Sequence, residues 1–271
     1  MTSPRSGRNP IAAGCGCAGV VGVVTAIVLI IAITGWLFSL FENPVPGANR
    51  QPIPSDIPPA AAEAPPLIDV HGPGRTSDQL AQWAAPIAEA TGVDPQAIRA
   101  YGNASLIAAD SWPACHLSWN TLAGIGWVET RHGTYTGRTF DSARLDEGGF
   151  ANPPIVGPAL DGTSGFAHIP DSEGGTLDGD TEFDRAVGPM QFIPGSWRIY
   201  GRDADGDGAA NPQQIDDAAL GAATLLCEDG RDLATPEGWR EAVLAYNNSN
   251  DYVVKVRNAA ANYALNQSAQ R

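Results

Sequence analysis

Residues 11–41 carry no charged side chain and are dominated by Val, Ile, Leu, Ala and Gly. About 20 apolar residues cross a bilayer as a helix, and residues 20–40 alone supply that length. The run therefore predicts a transmembrane helix over residues 18–41. Arg5 and Arg8 precede it and Glu42 follows it, which places residues 1–17 in the cytoplasm and the rest of this single-pass chain outside. A cleaved signal peptide is the competing reading; the length of the run and the absence of an A-x-A site at its end weigh against it. Cys15 and Cys17 stand before the apolar run, so neither is read as a lipid anchor.

Residues 42–75 read as a Pro/Ala-rich linker, with nine prolines between Asn43 and Pro73. In an extended polyproline conformation of about 3.1 Å per residue, such a tether reaches up to roughly 90 Å; a disordered spacer is the plainer alternative. Residues 76–271 are then enough for one domain with a sizeable core. Of the 16 basic residues two precede the span, leaving fourteen against 30 acidic ones. That excess excludes a nucleic-acid partner and fits an acidic solvated surface. Cys115 and Cys227 are the two cysteines of the outside part. An even count in an oxidising compartment suggests a disulfide, with two buried thiols as the alternative. Closing so long a loop adds roughly 4 to 5 kcal/mol in the chain-entropy model.

Helix-start signals recur along this domain. Ser77 precedes a helix to Ala90, Asp94-Pro95 opens one to about Asp110, and Ser118 opens the one that holds Glu129. Asn211-Pro212 leads into residues 215–228, Thr235-Pro236 opens a helix to about Asn247, and Asn250 or Asp251 caps a last one to about Leu265. Strand signals are sparse. The expected fold class is mainly α, a multi-helix domain with a small irregular or β insertion in the Gly- and Asp-rich residues 137–184. A loop region of that length is either functional or disordered; if functional, it walls a cleft.

Four segments carry candidate chemistry. In Leu122-Ala123-Gly124-Ile125-Gly126-Trp127-Val128-Glu129, the spacing of Leu122, Ile125, Gly126 and Glu129 puts the carboxylate on the helix's inward face. It is either a buried structural acid paired to a residue such as Arg131, or an acid whose desolvation holds a proton ready to donate. Next, Gly188-Pro189-Met190-Gln191-Phe192-Ile193-Pro194 combines turn formers with a side-chain amide, which hydrogen-bonds sugar hydroxyl and acetamido groups, and a ring, which stacks on a pyranose. The bland reading is a tight turn whose aromatics fill the core. Third, residues 203–214 follow the spacing of a calcium loop. Asp203, Asp205, Asp207 and Asn211 supply side-chain oxygens, Ala209 a backbone one, and Gly208 stands at the sixth position. Gln214 replaces the expected bidentate Glu, and an Asx-rich turn is the alternative. Last, Tyr246-Asn247 ends a helix, with Tyr252 shortly after.

In this order, the four segments resemble the lytic murein transglycosylase B family over roughly residues 117–263. The resemblance implies a lysozyme-like domain that cleaves the bond between N-acetylmuramic acid and N-acetylglucosamine in peptidoglycan. Glu129 matches the family's catalytic glutamate. Gln191, Phe192, Tyr246, Asn247 and Tyr252 match its glycan-cleft positions, with Tyr246 as an orienter of the acid. Arg185 is added on electrostatic grounds, as a cation for a stem-peptide or lactyl carboxylate. No cofactor is required for the chemistry; a structural calcium ion is a candidate. The expected partners are glycan strands, the cytoplasmic membrane through one helix, and cell-wall synthesis or division proteins. A hydrolytic muramidase and a non-catalytic wall-binding scaffold are the alternatives.

Overall fold

Seven α-helices frame the described residues, which are 50–134, 142–163 and 165–270 of this computed structural model. The expected membrane helix at residues 18–41 lies outside them. Among the described residues no helix is long and apolar enough to cross a membrane.

Much of the frame follows from local capping. Helix α1 spans Ala81–Thr91 and stops at Gly92 in the left-handed conformation; the expected cap Ser77 instead lies inside the 3-10 turn Thr76–Leu80 ahead of it and caps neither element. Asp94 accepts a hydrogen bond from the Gln96 N–H at 2.8 Å, and Pro95 takes the first position of α2, Pro95–Ser111. Helix α3 is Trp119–Thr130, and it is buried nearly all round, so an inward and an outward face are not distinguished until its last turn. Helix α4, Pro194–Tyr200, rises out of a segment whose residues read as a turn. Gln214 caps α5, Ile215–Leu226, and Thr235 caps α6, Pro236–Tyr246. The last helix, α7, is Asn250–Ala264. Its cap is Ser249, one residue ahead of the expected Asn250 or Asp251.

The central contact is α3 against α7, and α2 packs against α5. Gly124 lets α3 approach its neighbour, since a Cβ there would stand 2.8 Å from the Val256 carbonyl oxygen. A disulfide joins Cys115 to Cys227 across 112 residues and pins the end of α5 to the α2–α3 connection. Between α3 and α4 lie two small antiparallel sheets. One pairs β1 (Arg144–Leu145) with β2 (Ala151–Asn152); the other pairs β3 (Val156–Ala159) with β4 (Arg185–Val187), with an irregular register between them. The protein is thus mainly helical with a small β insertion.

The linker reading changes from Pro52 onward, where the chain belongs to the compact unit. The Asn120 side chain accepts from the Ala62 N–H and donates to the Ala60 carbonyl, and the Trp119 indole N–H donates to the Glu63 carbonyl. An extended Pro-rich strand has no internal hydrogen bonds, so its backbone is free to satisfy these polar groups of α3. Arg75 closes the segment against the fold, donating to the buried Asp216 carboxylate at 2.6 and 2.9 Å.

Candidate active site

Glu129 sits in the last turn of α3, where the helix reaches a cavity of about 300 Å³. Glu129 lines that cavity and is half-buried. The Tyr252 hydroxyl donates to Oε1 at 2.5 Å. Burial raises the Glu129 pKa and the Tyr252 hydrogen bond lowers it; burial wins, and the acid is pushed up to about 7. The negative end of the α3 dipole acts in the same direction as burial. Arg131, the alternative partner in sequence, lies over the Trp127 ring at 4.1 Å.

Each wall of the cavity comes from a different part of the chain. The turn after β4 supplies Gln191 and Phe192, and the end of α6 supplies Tyr246 and Asn247. The turn depends on Gly188, whose φ is +76° and whose Cβ would lie 1.7 Å from the Pro212 carbonyl oxygen. Gln191, itself at φ +51°, folds its amide N–H back to the Gly188 carbonyl at 3.0 Å, which leaves Oε1 as the acceptor side of that amide. Thr130 links the acid to this turn by donating to the Pro189 carbonyl at 2.5 Å.

Three of the expected roles differ in detail. Phe192 lines the cavity but is only 3% exposed, packed T-shaped against Trp197 and Tyr246, so little of its ring is open to a ligand. Tyr246 donates its hydroxyl to the Met190 carbonyl at 2.7 Å, and Tyr252, whose ring stacks on it, is the hydroxyl that reaches Glu129. Arg185 pairs with Asp180 at 2.7 Å and donates to the Gly157 carbonyl; it is not among the residues that line the cavity.

The acidic loop also regroups. Carboxylate oxygens of Asp203, Asp205 and Asp217 lie within 4.8 Å of one another. Asp207 is not in that carboxylate group; it accepts from the Ala209 N–H, and Asn211 from the Gln213 N–H, as Asp203 and Asp205 also accept from N–H groups of the loop. Gln214 is occupied as the α5 cap, and Asp217, three residues later, is the carboxylate that joins Asp203 and Asp205. Burial pushes Asp217 up to about 7 and also raises Asp205, whose pKa the neighbouring Asp207 and Asp203 raise further. Three crowded oxygen donors of this hardness fit a calcium ion, which would neutralise their mutual repulsion.

Sequence reasoning expected residues 137–184 to wall a cleft but did not single out Pro158, Leu160 and Phe166, which make the third wall. It also missed a buried support behind α3. His132 stands between the Tyr101 hydroxyl at 3.1 Å and the Tyr263 hydroxyl at 2.7 Å, and burial lowers its pKa to about 3, so the ring is neutral. Its backbone N–H closes the α3 end on the Gly126 carbonyl. A Cβ on Gly126 would meet the Tyr101 hydroxyl at 2.1 Å, so the glycine that read as part of an apolar stripe makes room for this polar network. Compared with known proteins, the chain matches no family model, no curated protein and no solved structure.

Proposed function

We propose that this chain is a membrane-anchored lytic transglycosylase. It cleaves the β-1,4 bond between N-acetylmuramic acid and N-acetylglucosamine in peptidoglycan on the outer side of the cytoplasmic membrane. The observation that carries this reading is Glu129. It is a carboxyl group half-buried on a cavity wall with a pKa of about 7, hydrogen-bonded by Tyr252, and the only carboxylate among the described residues that line the cavity. Hydrolytic glycosidases ordinarily use two carboxylates at a set separation, so a solitary acid favours intramolecular transfer.

In the proposed mechanism, protonated Glu129 gives its proton to the glycosidic oxygen as the C1–O bond breaks. The neighbouring acetamido oxygen relieves the charge at C1, as in substrate-assisted glycosidases. The Glu129 carboxylate then takes the proton of the muramoyl C6 hydroxyl. Its oxygen attacks C1, leaving a 1,6-anhydro ring and a reprotonated Glu129, and no water is consumed. One group serves as acid and then base, which a pKa near the working pH favours; lysozyme likewise keeps a general-acid Glu protonated by placing it in an apolar pocket. The Gln191 Oε1 and the Asn247 amide supply polar contacts to the sugar, and the Asp203, Asp205 and Asp217 group would hold a calcium ion with a structural role.

Mass analysis of peptidoglycan digested by the purified full-length chain tests the reading. Anhydro ends are expected, and Glu129→Gln lowers cleavage by about 10³-fold, within the range of a lost general acid–base group. Reducing ends would assign a hydrolytic muramidase, and cleavage unaffected by Glu129→Gln would remove Glu129 from the reaction.

A further inference from the structure

Stacking on sugar, the role expected of Phe192, falls to another ring. Phe192 and Tyr252 are 3% and 6% exposed, and Tyr246 shares its face with Tyr252. Phe166 is 43% exposed, the only exposed aromatic among the described residues, and it lines the same cavity as Glu129. A lone exposed apolar side chain needs no explanation in itself. Leu67, Ile199 and Val254 are also exposed, but none of them lines this cavity. What distinguishes Phe166 is its place beside the proton donor, continuing an apolar strip begun by Pro158 and Leu160.

The chain around Phe166 is built to present it. Beyond β3, Leu160 donates to the Asp184 carbonyl at 3.1 Å and accepts from the Ile169 N–H at 2.8 Å, so both sides of the arm are paired. At its tip the Phe166 N–H donates to the Thr163 carbonyl at 2.9 Å and Gly162 donates to Ala167. Asp161 accepts from both the N–H and the hydroxyl of Thr163. At the base, the Asp184 carboxylate accepts from the N–H and hydroxyl of Ser172, each at 2.8 Å, and His168 stands edge-on to Phe183. The acidic residues that make this stretch conspicuous in the sequence thus bind backbone N–H groups and stiffen the arm. An arm whose backbone is already held loses less freedom when a ligand arrives, which favours binding.

We infer that Phe166 is a stacking platform for a pyranose ring of the glycan strand, next to the ring whose bond Glu129 cleaves. This rests on the glycan reading of the site and adds a specificity-determining residue to it. The C–H-rich face of a pyranose covers the exposed face of Phe166, while the polar edge meets the amides of Gln191 and Asn247 across the cavity.

The experiment measures binding, not turnover. Full-length Glu129→Gln chain, which leaves its ligand intact, is titrated calorimetrically with peptidoglycan glycan strands freed of stem peptides by an amidase. Adding Phe166→Ala is expected to weaken binding about tenfold with an unchanged melting temperature, and adding Phe166→Trp to keep the parent affinity. Equal affinity for Phe166→Ala and the parent would overturn the platform while leaving the glycan reading intact. A parent that binds no glycan strand would overturn both. Loss in Phe166→Ala that Phe166→Trp fails to restore would also overturn it, because a second aromatic face must serve.

Discussion

Glu129 and Asp217 are both desolvated carboxyl groups held near a pKa of about 7, and they reach it in opposite surroundings. Glu129 is in the last turn of α3, at the negative end of the helix, with one phenolic donor. Asp217 is in the first turn of α5, at the positive end, and accepts backbone N–H bonds from Ala204 at 2.7 Å, Asn211 at 2.8 Å and Asp205 at 3.3 Å. The fold has therefore prepared Asp217 to be an anion and has left its burial and the nearby Asp205 to oppose that. It has prepared Glu129 to keep a proton beside an open cavity. In the proposed reading, desolvation serves a cation in one place and proton transfer in the other.

That contrast can be broken first at the loop. In the proposed reading, calcium at a hundredfold excess over its dissociation constant stabilises the native chain by about 2.7 kcal/mol. Asp217→Asn abolishes that gain in urea melts with and without chelator, whereas Glu129→Gln preserves it. Equal melts with calcium and chelator for the parent would remove the ion from the loop.

The next effect is on the pH dependence of stability. Each group has a native pKa raised above its unfolded value, so the native state binds more protons between the ordinary carboxylate range and about 7. The stability it contributes is complete below the unfolded pKa and is lost as pH rises through about 7. Glu129→Gln removes that loss and is expected to stabilise the chain at pH 8 by on the order of 2 kcal/mol, after discounting for the solvent-facing side of the pocket. At pH 4 the same substitution is near neutral. Saturating calcium should flatten only the share due to Asp217. A Glu129→Gln gain as large at pH 4 as at pH 8 would show that packing, not ionisation, is responsible.

How far the sequence could be read follows from the distance over which each feature is decided. Asp94 with Pro95 and Thr235 with Pro236 set their helices through bonds to residues two or three positions away, and such caps were legible. The Cys115–Cys227 disulfide needed only a count and a compartment. Tyr252 meets Glu129 across 123 residues, and nothing local distinguishes its hydroxyl from that of Tyr246. Asp217 joins the acidic group while Gln214 caps α5, a division of roles invisible to ligand spacing. Phe166 carried no motif, and its exposure is a tertiary fact. The prolines from Pro52 onward read as linker because composition does not reveal that Asn120 and Trp119 take up their backbone groups.

The smallest effect separates the two stacked tyrosines. Tyr252 donates to the charged form of Glu129, so it lowers a pKa that burial raises. Removing its hydroxyl by Tyr252→Phe raises the Glu129 pKa further, by roughly one pH unit for one hydrogen bond to a charged group beside an open cavity. In the proposed mechanism Glu129 begins protonated, so kcat/KM falls about tenfold per pH unit above the pKa. That descending limb, near pH 7 in the parent, should move to higher pH in Tyr252→Phe. Tyr246→Phe loses a bond to the Met190 carbonyl instead and should leave the limb in place while loosening the turn that holds Gln191. If the limb moved in Tyr246→Phe and stayed fixed in Tyr252→Phe, the orienting role would pass back to Tyr246, the residue its sequence motif favours.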